Sequence, residues 1–188
     1  MKQTKKAFTL VELAIVLVII GILLGAVLKS QSLIGNAKEK RLHSLIQELQ
    51  AGVLTYYDKY NALPGDDPQA QTHLDNNSTK NGNGNGLINN LITNCSDNSK
   101  ESCAAWEHLR LADILSGSGV TNPKHPYGGP VAIGYAKMPS GDYSNLLYFY
   151  QIPKKVAKDI DQKYDDGKFD SGDIQYDENH KNLYVKLD

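Results

Sequence analysis

From Ala7 to Leu28 the chain runs 22 residues with one charged side chain, Glu12. As a helix rising about 1.5 Å per residue, this run covers roughly 33 Å, enough to cross the hydrocarbon core of a bilayer. No other stretch constrains the fold as strongly. Glu12 is its anomaly. An ionised carboxylate in lipid costs about 2.5–3.5 kcal/mol near the bilayer centre and less near the interface. A plain anchor gains nothing from that cost, so Glu12 calls for a positive partner. Lys2, Lys5 and Lys6 precede the run with no acid among them, which predicts a cytoplasmic N-terminus by the positive-inside bias. An ordinary secretory signal has a shorter apolar core and a small-residue cleavage site behind it; here Lys29-Ser-Gln-Ser follows.

The stretch Lys5-Lys-Ala-Phe-Thr-Leu-Val-Glu12 and the apolar run behind it resemble the signal of type IV pilins and type II secretion pseudopilins. The resemblance covers about 20 residues and leaves the rest of the chain unaddressed. It implies that a prepilin peptidase cuts between Ala7 and Phe8 on the cytoplasmic side and methylates the new amine of Phe8. Where the family has glycine before the cut, this chain has Ala7, also small. Glu12, carried over by position, neutralises the N-terminus of a neighbouring subunit as a filament grows. The implied partners are other pilin-like subunits, the peptidase, and an inner-membrane assembly platform with a separate ATPase. The implied place is the bacterial inner membrane, single-pass with the head in the periplasm, then a periplasmic or surface filament. A type II secretion pseudopilin is the leading expectation; a minor type IV pilin for adhesion, motility or DNA uptake is the alternative. The more distant one is a membrane-anchored periplasmic binding module that shares only this N-terminus.

Beyond Leu28 the pattern turns amphipathic. Leu42, Leu45, Ile46, Leu49, Val53, Tyr56, Tyr57 and Tyr60 recur at helical spacing, and no proline occurs before Pro64. One helix from about Phe8 to Tyr60 is expected, with Gly21, Gly25, Gly35 and Gly52 as weak points. The chain then divides into a leader (1–7), a transmembrane helix half (8–28), an amphipathic half (29–62) and a globular head (63–188). From Asn61 onward 12 Lys/Arg stand against 17 Asp/Glu, a net of −5, which argues against nucleic acid as a ligand.

In the head, Leu63-Pro-Gly-Asp-Asp-Pro68 stops the helix, and the Asn/Gly-rich stretch 75–86 reads as a surface loop. The glycines at 82, 84 and 86 match a phosphate loop in number only, since no Lys-Ser/Thr follows. A short helix is expected over Leu87–Thr93 and another over Ser99–Leu115. Strands are expected over Val131–Met138, Tyr143–Ile152, Ile174–Tyr176 and Leu183–Leu187, and a helix after Pro153 to about Tyr164. The sum is an α+β fold, a long N-terminal helix on a small antiparallel sheet with extra short helices, as in pilin-like subunits.

Cys95 and Cys103 lie in the exported part, where a local disulfide is the default. Two unpaired thiols are the other reading; zinc lacks a histidine pair nearby. Asp165, Asp166, Asp170 and Asp173 could offer oxygen ligands to calcium, although their spacing misses the EF-hand pattern. Some pseudopilins bind calcium in a C-terminal loop. The competing reading is a helix stop followed by a solvated turn. No other cofactor is expected. No catalytic motif is present in the sequence, and the five histidines are scattered, so a structural subunit is expected and not an enzyme.

Overall fold

The computed structural model describes residues 9–187, apart from the side chain of Ser32. Eight elements follow in order: α1 (Leu10–Tyr60), α2 (Ala70–His73), α3 (Glu101–Leu111), β1 (Val131–Lys137), β2 (Tyr143–Phe149), α4 (Lys154–Tyr164), β3 (Ile174–Asp177) and β4 (Asn182–Lys186). The chain falls into two units, one up to Lys38 and one from Glu39. Helix α1 contributes residues to both.

In the first unit, the apolar side chains of α1 from Leu10 to Leu28 are exposed on every side. Gly21, Gly25 and Gly35 have nothing within 4 Å of where a Cβ would sit. The helix continues through all three, because a single glycine costs only about 1 kcal/mol in a helix interior.

In the second unit the same helix becomes one wall of a core. Leu42, Ile46, Leu49, Val53 and Tyr56 are buried, spaced by fours and threes, so one stripe of α1 faces inward. Each such side chain contributes about 1.5–3 kcal/mol relative to leaving it in water. Tyr57, expected on this face, is instead largely exposed. Gly52 is a close-approach site: a Cβ there would lie 3.3 Å from Ile114 Cγ2.

The sheet is antiparallel with strand order β1-β2-β4-β3. Hairpin β1–β2 pairs Val131 with Phe149 and Lys137 with Tyr143, and β4 inserts beside β2 with Leu147 opposite Val185. Alternation sends Val131, Ile133, Leu147, Phe149, Leu183, Val185, Ile174 and Tyr176 into the core with the α1 stripe, Trp106 and Leu109 of α3, and Ile160 of α4. Gln50 Nε2 donates to Lys186 O at 2.8 Å, which ties α1 to β4 directly.

Segment 87–93 departs from the expected helix. It is extended and borders β1: Tyr135 N donates to Ile88 O at 2.6 Å, and Leu91 bridges Gly134. Two constraints favour this. Asn90 sits at φ 71°, a left-handed value that no helix interior uses. Gly134 lets the Asn90 carbonyl approach so closely that a Cβ at 134 would collide with it. A seven-residue helix gains little by itself, while the open edge of β1 offers unpaired backbone groups. Helix α3 is also shorter than expected, beginning at Glu101 because Asp97 takes the Ser99 N–H.

Two histidines are built into the core as neutral rings. His108 Nδ1 accepts from Gly65 N at 2.9 Å, so Nε2 carries the proton and donates to Lys80 O at 2.9 Å. His125 accepts from Tyr127 N and donates to Tyr150 O at 2.8 Å. Burial pushes both below the usual histidine range; for His108 it outweighs the Lys80 bond and the Asp67 and Glu107 carboxylates, which pull upward. A second proton would also sever an N–H bond at Nδ1. The unfolded chain therefore binds protons first. The stability these rings hold is full above the unfolded value near 6.5 and is lost as pH falls through it. The unfolding free energy from urea titrations should fall between pH 7 and 5 with a slope of up to about 2.7 kcal/mol per pH unit for two protons, and His108→Gln with His125→Gln should flatten it.

Candidate functional site

Glu12 has a partner within its own chain. Thr9 N and Thr9 Oγ1 both donate to Glu12 Oε2, at 2.7 and 2.8 Å, and Glu12 N donates back to Thr9 Oγ1 at 3.2 Å. With α1 starting at Leu10, Thr9 is the N-cap and Glu12 the third helical residue. This is a capping box, in which threonine and glutamate satisfy each other's free backbone donors. Placing an acid in the first turn also suits the helix dipole. The sequence carries this signal as Thr-x-x-Glu, masked by the apolar run in which Glu12 stands out as an isolated charge. Glu12 Oε1 accepts no hydrogen bond from the described residues. Ala7 and Phe8, the expected processing residues, lie outside the described residues, as do Lys2, Lys5 and Lys6. Among the described residues one helix, α1, is long and apolar enough to cross a membrane.

The acidic turn after α4 gathers differently from expectation. Asp165 and Asp166 meet Asp161, an α4 residue not singled out in the sequence, with a carboxylate oxygen from each within 4.8 Å of the others. Asp170 and Asp173 are exposed and are not part of this group. Asp161 is buried at 1% exposure; Oδ1 accepts from Gly167 N at 3.1 Å, and Oδ2 is buried with no hydrogen-bond partner. Burial raises the Asp161 carboxyl above the usual range, and repulsion from Asp165 and Asp166 adds to it. Asp166 is held low by Ser171 Oγ and the Lys168 N–H. Asp165 Oδ2 accepts from Ile174 N at 2.7 Å and sits so close to Gly172 that a side chain there would strike it. Three carboxylates with one buried, unpartnered oxygen suit a hard cation, which prefers oxygen donors. Sequence reasoning missed Asp161 because it was counted with α4 and not with the turn, although i,i+4 spacing places it beside Asp165.

Cys95 and Cys103 form a disulfide, with Cα atoms 5.5 Å apart. It joins the loop before α3 to the buried face of that helix, where Cys103 is 2% exposed. Loops of this size give about 2–3 kcal/mol in the chain-entropy account.

Residues 2–28 match the family model of the prokaryotic N-terminal methylation motif. The chain carries the signature of type IV pilins and pseudopilins. No curated protein and no solved structure matches it significantly. The motif spans the apolar run, Thr9 and Glu12, and points to a pilin-like structural subunit with prepilin-type processing. Its exposed apolar helix fits membrane anchoring.

The pilin-type cap has a measurable consequence. Thr9→Val deletes the hydroxyl that both accepts from Glu12 N and donates to its carboxylate. In detergent micelles, amide exchange over Leu10–Leu13 should rise about fivefold, the equivalent of losing a cap worth ~1 kcal/mol.

Proposed function

We propose that this chain is a structural subunit of a type II secretion pseudopilus, inserted in the inner membrane with its head in the periplasm and assembled by a platform with a separate ATPase. The observation that carries the reading is the methylation motif fused to a continuous helix. That helix leaves its apolar side chains from Leu10 to Leu28 exposed all round. Such a surface is stable in lipid, or in a bundle of like helices. Cleavage between Ala7 and Phe8 frees the Phe8 amine, and Glu12 of a neighbouring subunit accepts it. The pairing replaces two unpaired charges in an apolar setting with one hydrogen-bonded contact. The net −5 of the chain from Asn61 onward suits a domain that meets other proteins more than polyanions.

Mass spectrometry of the mature N-terminus tests the processing step: the expected species begins at methylated Phe8, and an intact Met1 or a cut near Ser30 counts against it. For assembly, Glu12→Leu should abolish incorporation into filaments while leaving membrane insertion intact. Normal incorporation of that variant removes the Glu12–amine pairing from the account, and absence of the unaltered protein from filaments ends the filament reading.

The same proposal gives the acidic turn a structural task. Asp161, Asp165 and Asp166 hold a calcium-class cation that neutralises the buried Asp161 oxygen and fixes the turn between α4 and β3. Added calcium should raise the melting temperature of the full chain, by the equivalent of about 2.7 kcal/mol at a hundred times the dissociation constant. Asp161→Asn should abolish that shift, and Asp170→Asn should leave it. No shift in the unaltered protein removes the cation from the account.

A further inference from the structure

Asn81, Asn83 and Asn85 are each followed by glycine. Asparagine–glycine pairs are prone to deamidation because no Cβ hinders the glycine nitrogen. At the second pair, the Gly84 nitrogen loses its proton and bonds to Asn83 Cγ. The Cγ–Nδ2 bond breaks and ammonia leaves with a proton. Water then opens the succinimide ring to an aspartate or an isoaspartate. The attacking nitrogen must be free to lose its proton.

None of the three nitrogens is free here. Gly82 N donates to Asp67 O at 2.8 Å. Gly84 N donates to Asp66 Oδ1 at 2.7 Å and to Asp66 O at 3.0 Å. Gly86 N donates to Asp66 Oδ2 at 2.7 Å, and Asn85 N reaches Oδ1 at 3.2 Å. The loop forms a nest of N–H groups around one carboxylate, of the kind that elsewhere holds phosphate. Asp66 is 3% exposed, so the acceptor side of these bonds is buried while Gly84 and Gly86 lie at the surface, and a bond to an ionised acceptor is the stronger kind.

Both halves of each pair have a structural reason. Gly84 and Gly86 lie at φ 73° and 81°, and a side chain at Gly82 would collide with the Asp66 backbone. The Asn83 and Asn85 side chains accept from the N–H two residues on, at 3.0 and 2.9 Å, and Asn81 accepts from Gln71 N. The nest thus selects the very pairs that are chemically fragile. We propose that Asn83 and Asn85 are a latent modification site and that Asp66 guards it, holding the glycine nitrogens as donors so that deamidation requires the loop to open. Once formed, an isoaspartate lengthens the backbone beside Asp66 and adds a second negative charge, so the nest cannot close again.

Peptide mapping of the full chain in detergent, incubated at mildly alkaline pH, tests this. Asn83 and Asn85 should deamidate at least about tenfold slower in the folded protein than in urea, since reaction is limited to the open fraction. Asp66→Ala, with fold verified by circular dichroism, should raise the Asn85 rate most and the Asn83 rate less, since Gly84 N keeps its bond to the main-chain oxygen of residue 66, and should spare Asn81, whose glycine is held only by a main-chain carbonyl. Asp66→Asn keeps one acceptor oxygen and should release at least one of the two sites. If neither variant folds, amide exchange in the unaltered protein decides: protected Gly84 and Gly86 N–H groups together with slow folded-state deamidation uphold the guard. Equal rates in folded and unfolded protein, unprotected glycine amides, or a folded Asp66→Ala with unchanged rates overturn it.

Discussion

The second unit depends on one stripe of α1. Leu42, Ile46, Leu49, Val53 and Tyr56 present a continuous apolar surface, and α3, α4 and the four strands bury their own apolar faces against it or against one another. A four-stranded sheet with strands of four to seven residues cannot close a core alone. A helix under the sheet supplies the missing layer. The stripe also fixes the sheet's sidedness, because a one-residue slip in β2 or β4 would turn Leu147, Phe149, Leu183 and Val185 outward.

Where the stripe ends, polar groups take over. Tyr56 OH donates to Asp67 Oδ2 at 2.8 Å, and His73 Nδ1 meets the same oxygen at 2.7 Å. Asp67 is fully buried, so both partners are needed; burial and this bond raise the Tyr56 hydroxyl well above its usual range. Next to it, His108 takes the Gly65 N–H and Asp66 takes those of Gly84 and Gly86. The turn Leu63–Pro68 is therefore more than a helix stop. Its two aspartates organise the chain on both sides, and their cost of burial is offset by several charge-assisted bonds each.

What was legible in the sequence follows from periodicity. The α1 stripe, both hairpins and α4 declare themselves by spacing of three and four or of two, and the structure places them within a few residues of expectation. Segment 87–93 did not, because its conformation is set by the vacant edge of β1 and by the absence of a side chain at Gly134, both distant in sequence. The Asn/Gly loop was legible as a loop and illegible as a nest, since the carboxylate it wraps lies 18 to 20 residues earlier. Asp161 stands only one helical turn before Asp165 and was passed over because it was counted with α4 and not with the acidic turn. Local motifs could be read; the partners that complete them come from elsewhere in the fold.

Glu12 is the case in which the cap signal was wholly local and was still read incompletely. Taken as a lone charge in an apolar run, it demands an amine from another chain. Taken with Thr9, it already accepts two hydrogen bonds on one oxygen. Bonds to a charged group contribute about 1.5–3 kcal/mol each, comparable to the cost of holding a carboxylate at moderate depth in a bilayer. The capping box therefore lowers the cost of an acid in an apolar run with no second chain. Oε1 takes no bond from the described residues, so among them the cap leaves one carboxylate oxygen uncommitted. Under the proposed filament reading, pairing with an amine would gain less than for a bare charge, but the carboxylate is already oriented, which would lower the entropy lost when the contact forms. Under that reading Thr9 would act through Glu12, trading strength of the contact for readiness to make it.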